Sequence, residues 1–176
     1  LDALGCELAE DLLSPMDQPP FPRSPLDGYA VRSEDIKRAS KECPVILNVI
    51  NEVMAGSYTD TVIKEKTAVR IMTGAPIPSG ADCIVRQEDT DYGEEQVKVF
   101  VEHHAYENYC FQGEDFKQGD CLAERGTAMD SIAIGIAASM GRERVLVYRK
   151  PRVAVFATGD ELVEPGNPLL PGKIYN

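Results

Sequence analysis

Five prolines crowd residues 15–25: Pro15, Pro19, Pro20, Pro22 and Pro25. Each locks its own φ, removes a backbone N–H and pushes its predecessor toward extended geometry. A helix is therefore excluded here, and a stiff extended connection is expected. Asp27-Gly28, just beyond the run, reads as a turn. Ahead of the run, Leu1, Leu4, Leu8 and Leu12 recur at helical spacing with Gly5 between them, which predicts a short helical end and then an extended segment to Ser14.

Short β runs dominate from about residue 44 to 123. They are Pro44-Val45-Ile46-Leu47-Asn48-Val49-Ile50, Thr67-Ala68-Val69-Arg70-Ile71-Met72, Ala81-Asp82-Cys83-Ile84-Val85 and the cleanly alternating Gln96-Val97-Lys98-Val99-Phe100-Val101. Turn signals at Gly56, Gly74-Ala75-Pro76, Pro78-Ser79-Gly80, Tyr92-Gly93 and Gln118-Gly119-Asp120 separate them. Met129, Ile132, Ala133, Ile136, Ala137 and Met140 then fall on one helical face, with Asp130 or Thr127 to cap it and Gly141 to stop it. Val145-Leu146-Val147-Tyr148 reads as a strand. Arg152-Val153-Ala154-Val155-Phe156-Ala157 reads as a buried strand running into Thr158-Gly159-Asp160-Glu161, the way an α/β domain opens. No crossover helix follows, so the expectation is a further domain cut off after its first strand.

Composition narrows the function classes. With 18 basic against 29 acidic residues the formal charge is −11, and no basic stripe offers a nucleic-acid backbone a partner. No segment approaches the roughly 18 apolar residues of a membrane span, and the first residues lack a secretory signal. The cysteines, Cys6, Cys43, Cys83, Cys110 and Cys121, show no C-x-x-C spacing, so zinc-ribbon and thioredoxin readings fail and free thiols in a reducing cytosol are expected. His103 and His104 are the only histidines, and neighbours on a strand point to opposite faces, which excludes a histidine-rich metal site.

Four segments can carry chemistry. Ser24-Pro25-Leu26-Asp27-Gly28-Tyr29-Ala30 puts a carboxylate at a tight turn beside a glycine that allows close approach. Arg70-Ile71-Met72-Thr73-Gly74-Ala75-Pro76-Ile77-Pro78 delivers Thr73 to a loop whose N–H groups and hydroxyl suit an oxyanion. Gly113-Glu114-Asp115 offers adjacent carboxylates of the kind Mg²⁺ takes together with phosphates and water. Ala157-Thr158-Gly159-Asp160-Glu161-Leu162 lies at the end of the expected buried strand. Taken singly, each also reads as an ordinary turn, hairpin loop or acidic surface.

In this order, together with Ser14-Pro15, Val85-Arg86-Gln87-Glu88, Pro151-Arg152 and Gly172-Lys173-Ile174-Tyr175-Asn176, they resemble the molybdopterin molybdotransferases, the MoeA/gephyrin family. The resemblance spans essentially the whole chain. It implies a mainly β fold with a few helices (α+β), built of bifurcated, coiled β-sheets. Domain I would be discontinuous, residues 1–17 and 119–150, with a β-rich domain II, residues 18–118, inserted in it. Residues 151–176 would be the truncated start of an α/β molybdopterin-binding domain. The implied reaction is insertion of molybdate into adenylylated molybdopterin with release of AMP, assisted by Mg²⁺ or another divalent cation. It implies a homodimer in the cytoplasm, with a molybdopterin adenylyltransferase as functional partner and no nucleic acid or membrane.

Carried over position by position, the family's catalytic residues fall on Asp27, Thr73, Asp115 and Glu161. Asp27, Asp115 and Glu161 would hold the metal, and Thr73, Asp160 and Glu161 the cofactor. Two departures stand out. Residues 107–112 hold no Lys or Arg where the family often has basic residues, and the chain ends before the family's main molybdate and pterin residues, so this stretch alone is not expected to catalyse insertion. The rival readings are a non-catalytic, gephyrin-like interaction module and an unrelated small β-barrel ligand-binding domain.

Overall fold

A mixed five-stranded sheet organises the middle of the chain in the computed structural model, which describes residues 2–176. In chain order the elements are β1 (Leu12–Leu13), β2 (Gly28–Val31), β3 (Val45–Val53), β4 (Thr67–Ile71), β5 (Cys83–Arg86), β6 (Gln96–Val99), β7 (Cys121–Ala123), α1 (Ser131–Ser139), β8 (Leu162–Val163) and β9 (Ile174–Tyr175). Two short 3-10 turns, Ser33–Ile36 and Gln87–Asp89, interrupt the connections. The sheet order is β5-β2-β4-β3-β6; β3 and β4 run parallel and every other pair is antiparallel. The mainly β expectation therefore holds.

The reason for this sheet is visible in its two faces. Tyr29, Val31, Leu47, Ala68, Val85, Val97 and Val99 pack on one side. Ala30, Val53, Ile63, Val69, Ile71 and Ile84 pack on the other. Strands covered on both faces read as continuous apolar runs, as β2 and β5 do. β3 carries an irregularity: its register against β4 slips between Val49 and Asn51, leaving Ile50 unpaired, and such a bulge bends and twists the strand.

A smaller body forms a separate hydrophobic cluster. Leu8 and Leu12 meet Met129 and Ala137, with Leu122, Ala133, Ile134 and Val147 around them. Asp130 caps α1, its carboxylate accepting from the Ala133 N–H at 2.8 Å, and Gly141 ends it at φ 70°. The chain leaves and re-enters this body through a two-stranded neck. Ser14 N–H donates to the Asp120 carbonyl at 2.8 Å, and Gly119 N–H returns to Ser14 at 2.9 Å. Further along, Gln18 N–H donates to Phe116 at 2.7 Å, and the Asp17 carboxylate accepts from Gln118 N–H at 2.9 Å. The proline run holds no helix, as expected, but it is a succession of bends with single bridges at Gln18 and Arg23 rather than a straight extended segment, because each proline fixes its own turn of direction.

Several expectations fail. Leu4 and Leu8 are not helical; the described part of that stretch turns and then bridges, Leu8 pairing with Val147 (Leu1 lies outside the described residues). Spacing of four suited a helix, but the buried side of a turn and bridge accepts the same leucines. Residues 145–148 make that single bridge and no strand. Ile132, placed on the buried helix face, is 69% exposed, while Ile134 packs inward. Asp27-Gly28 is no isolated turn, because Gly28 opens β2. Residues 152–157 form no ladder, and Val153, Val155 and Phe156 lie exposed. A parallel strand needs neighbours, and none of the described residues lies alongside.

Candidate functional site

Four strand ends converge at one end of the sheet. Gly28, the first residue of β2, sits opposite Ile71 at the end of β4 and Arg86 at the end of β5. Val53, the end of β3, also pairs with Ile71. The approach of β5 to β2 is so close that a Cβ on Gly28 would overlap the Val85 carbonyl. Only glycine fits there. Gln87 N–H then donates to the Asp27 carbonyl at 3.1 Å, so Asp27, Thr73 and Gln87 are brought side by side.

The loops themselves are pinned. Arg23 pairs with Pro76 in the register that Gly28 keeps with Ile71, so residues 22–31 and 69–77 run together with a bend between. At the bend, Gly74 takes φ 82° and donates its N–H to the Ser24 carbonyl at 2.8 Å. Ser24, buried, accepts from Leu26 N–H at 3.3 Å. The result is that Thr73 turns both its N–H and its hydroxyl onto one carboxylate oxygen, Oδ1 of Asp27, each at 2.7 Å. The Thr73 hydroxyl, then the Thr73 N–H, hold the Asp27 carboxyl below its ordinary 3.8, and Arg70 adds to this against the effect of burial. Asp27 is thus a carboxylate at neutral pH, and its second oxygen makes no hydrogen bond among the described residues.

The remaining residues singled out from sequence lie elsewhere. Asp115 is exposed and its N–H donates to the Gln18 carbonyl at 2.8 Å, at the other end of the proline run from Asp27. Gly113 beside it adopts φ 67° and packs against the Asp17 side chain. Asp160 and Glu161 are exposed near the chain end, in the turn before β8. The Asp160 carbonyl accepts from the Lys173 ammonium, and the Glu161 carbonyl accepts from Ile174 N–H. Among the described residues no three Asp, Glu, His or Cys side chains gather to hold a metal ion. One chain therefore brings Asp27 and Thr73 together and does not add Asp115, Asp160 or Glu161 to them. The donor set suits Mg²⁺ in one respect: a single free carboxylate oxygen, completed by ligand phosphates and water, is a common arrangement for that ion.

Gln87 also meets this site, through its N–H on the Asp27 carbonyl, and the β2–β5 register is what places it. A concavity of about 210 Å³ lies elsewhere, lined by Leu8, Glu10, Leu12, Arg142, Arg144 and Leu146 of the smaller body. Convergent polar groups, not depth, single out the Asp27 end of the sheet. No helix among the described residues is long and apolar enough to cross a membrane.

These features define a two-bodied, mainly β protein with a polar site where the ends of a curled mixed sheet meet. The chain belongs to the family described as MoeA N-terminal region (domain I and II), whose model matches residues 1–141. It is 44% identical over 175 residues to a molybdopterin molybdenumtransferase of Staphylococcus epidermidis, covering 99% of this chain and 42% of that one. It is 39% identical over 173 residues to molybdopterin molybdenumtransferase 2 of Mycobacterium tuberculosis, covering 98% and 43%. A crystal structure of the molybdopterin biosynthesis MoeA protein of Pyrococcus horikoshii superposes with a TM-score of 0.90 at 34% identity, over 99% of this chain and 46% of that one. The chain thus spans less than half the length of these relatives.

Proposed function

We propose that this chain serves molybdenum cofactor biosynthesis as part of a molybdopterin molybdotransferase, inserting molybdate into adenylylated molybdopterin with release of AMP. The observation that carries the reading is the Asp27–Thr73 pair, held by one oxygen in a chain whose relatives bear that name. Thr73 orients Asp27 and keeps it ionised. The free oxygen of Asp27 would hold the divalent cation, whose remaining ligands would be water and ligand phosphates. A bound Mg²⁺ would neutralise charge gathering on the departing phosphate.

The reading extends to assembly. Domain I comprises residues 1–17 and 119–150, domain II residues 18–118, and residues 151–176 open a further domain. A homodimer is the economical way to bring Asp115, Asp160 and Glu161 to an Asp27 from which one chain keeps them apart. The reaction takes place in the cytoplasm, with a molybdopterin adenylyltransferase supplying the substrate.

The test is complementation in cells lacking the enzyme, using the intact protein with Asp27→Asn. The expected result is loss of molybdoenzyme activity at unchanged protein level. Full activity would remove Asp27 from the chemistry and favour a scaffolding role.

A further inference from the structure

In a chain with 29 acidic and 18 basic residues, a site for a phosphorylated ligand needs local positive charge, and the strand register brings one arginine to the Asp27 side of the sheet. Arg70 stands opposite Tyr29 on β2 and opposite Glu52 on β3. Side chains directly opposite share a face, and so do residues two apart on a strand. Asp27, two residues before Tyr29, is therefore a diagonal neighbour of Arg70, a spacing that a long side chain can span. The Thr73 hydroxyl and N–H lower the Asp27 carboxyl most, and the Arg70 charge lowers it further.

Arg70 also lines a hollow. With Val49, Ile50, Asn51, Glu52 and Glu94 it borders about 410 Å³ of open space, within the range of about 300–1,000 Å³ usual for small-molecule sites. Tyr29 steadies one wall: its ring is buried, and its hydroxyl donates to the Gly93 carbonyl at 3.0 Å, next to Glu94. Arg70 is the only cation among the lining residues. Its Nε lies 3.4 Å from a Glu52 carboxylate oxygen, and its side chain is 31% exposed. Beyond that ion pair the guanidinium makes no hydrogen bond among the described residues. Its N–H groups are therefore available to an oxyanion, which arginine takes through paired N–H···O bonds.

Given the function proposed above, on which this rests, we infer that Arg70 is a phosphate-contacting residue of the Asp27–Thr73 site, and that the hollow beside it receives the ligand's phosphate or pyrophosphate group. Asp27 holds the cation, Arg70 takes an oxygen of the anion that the cation bridges, and Glu52 steadies the guanidinium through Nε. Glu52 and Glu94 also set what the hollow accepts. Two carboxylates repel a bare polyanion, so the phosphate group enters together with its divalent cation.

The experiment is titration calorimetry on the intact protein in Mg²⁺ buffer, with inorganic pyrophosphate as the probe. Arg70→Gln is expected to weaken binding about tenfold or more. Arg70→Lys keeps the charge, loses the fork and is expected to weaken it less. A carboxyl-carbon NMR titration adds a second readout: the Asp27 midpoint should rise in Arg70→Gln and hold in Arg70→Lys. Lys37→Ala removes an exposed cation beyond the other end of β2 and is expected to change neither. Thermal melts accompany each variant. If Arg70→Gln lowers the melting temperature, Arg70→Lys carries the test, with weaker binding at an unmoved Asp27 midpoint expected. Binding by both arginine variants within about twofold of the parent overturns the inference and leaves the proposed function standing. So does absence of probe binding to the parent while Asp27→Asn still abolishes molybdoenzyme activity. If the parent does not bind the probe and Asp27→Asn is fully active, both fall together.

Discussion

The Asp27 carboxylate receives both of its hydrogen bonds from Thr73, and on the same oxygen, Oδ1. That asymmetry polarises the carboxylate, with one oxygen saturated and the other free. It also sets a sign. The folded carboxyl titrates below its ordinary 3.8. The linked stability is therefore complete above the unfolded value and drains away as pH falls through the folded one. Thr73→Ala removes the hydroxyl and keeps the N–H, so the Asp27 midpoint should rise toward 3.8 without reaching it. A carboxyl-carbon NMR titration reads this directly; an unmoved midpoint would assign the whole effect to the backbone.

Gly28 is where β5 leans on β2. Gly28→Ala places a methyl on the Val85 carbonyl, and backbone cannot rotate away as a side chain can. The expected loss is about 3 kcal/mol in urea unfolding. A loss below about 0.5 kcal/mol, within the ordinary range of surface changes, would mean that the strands separate there at little cost.

Neighbours on β3 make a matched pair. Leu47 is fully buried, whereas Ile46 is 51% exposed. Leu47→Ala leaves a cavity between sheet and cover and should destabilise by about 2–5 kcal/mol. Ile46→Ala should stay within about 0.5 kcal/mol. Equal effects would contradict the register of β3 against β6, which sets Ile46 opposite Lys98.

Asp130 is the one side chain that caps α1. Asp130→Ala should cost about 1 kcal/mol, and Asp130→Ser should recover most of it, since serine also accepts at this position. Thermal melts of the two variants decide it: equal midpoints would show that the cap bond is idle.

Thiol labelling separates the cysteines. Burial, helped by neighbouring Asp82, pushes the Cys83 thiol up to about 12, and the side chain is inaccessible. Cys43 and Cys121 are exposed. At pH 8, iodoacetamide followed by mass spectrometry should mark Cys43 and Cys121 quickly, and Cys83 only at the rate of unfolding. Early marking of Cys83 would mean that β5 opens locally.

Legibility tracked how local each signal was. β3, β4, β5 and β6 showed as β-branched runs between Gly and Pro turns, and α1 as a periodic run with an aspartate in front. β2 did not show. Its four residues are buried on both faces, so they carry no alternation, and the first of them belongs to an Asp-Gly pair that locally favours a turn. Only the neighbours β4 and β5 make them a strand. At the site, Asp27 and Thr73 stood out as motif residues, yet nothing in the spacing between 27 and 73 announced a shared oxygen. Gln87 was legible as part of a motif and not as a neighbour of Asp27, because that adjacency comes from a ladder. Asp115 and Glu161 were read from their motifs alike, and the chain folds them away from Asp27.

The neck has a kinetic side. Ser14 touches Met140 across 126 residues of sequence. Joining such distant points early in folding would sacrifice chain entropy that the few contacts of the smaller body cannot return. Once the central strands have paired, their two outgoing ends emerge next to each other, and the effective loop shrinks to a handful of residues. The smaller body is thus expected to assemble after the larger, so that whatever delays the sheet delays it too.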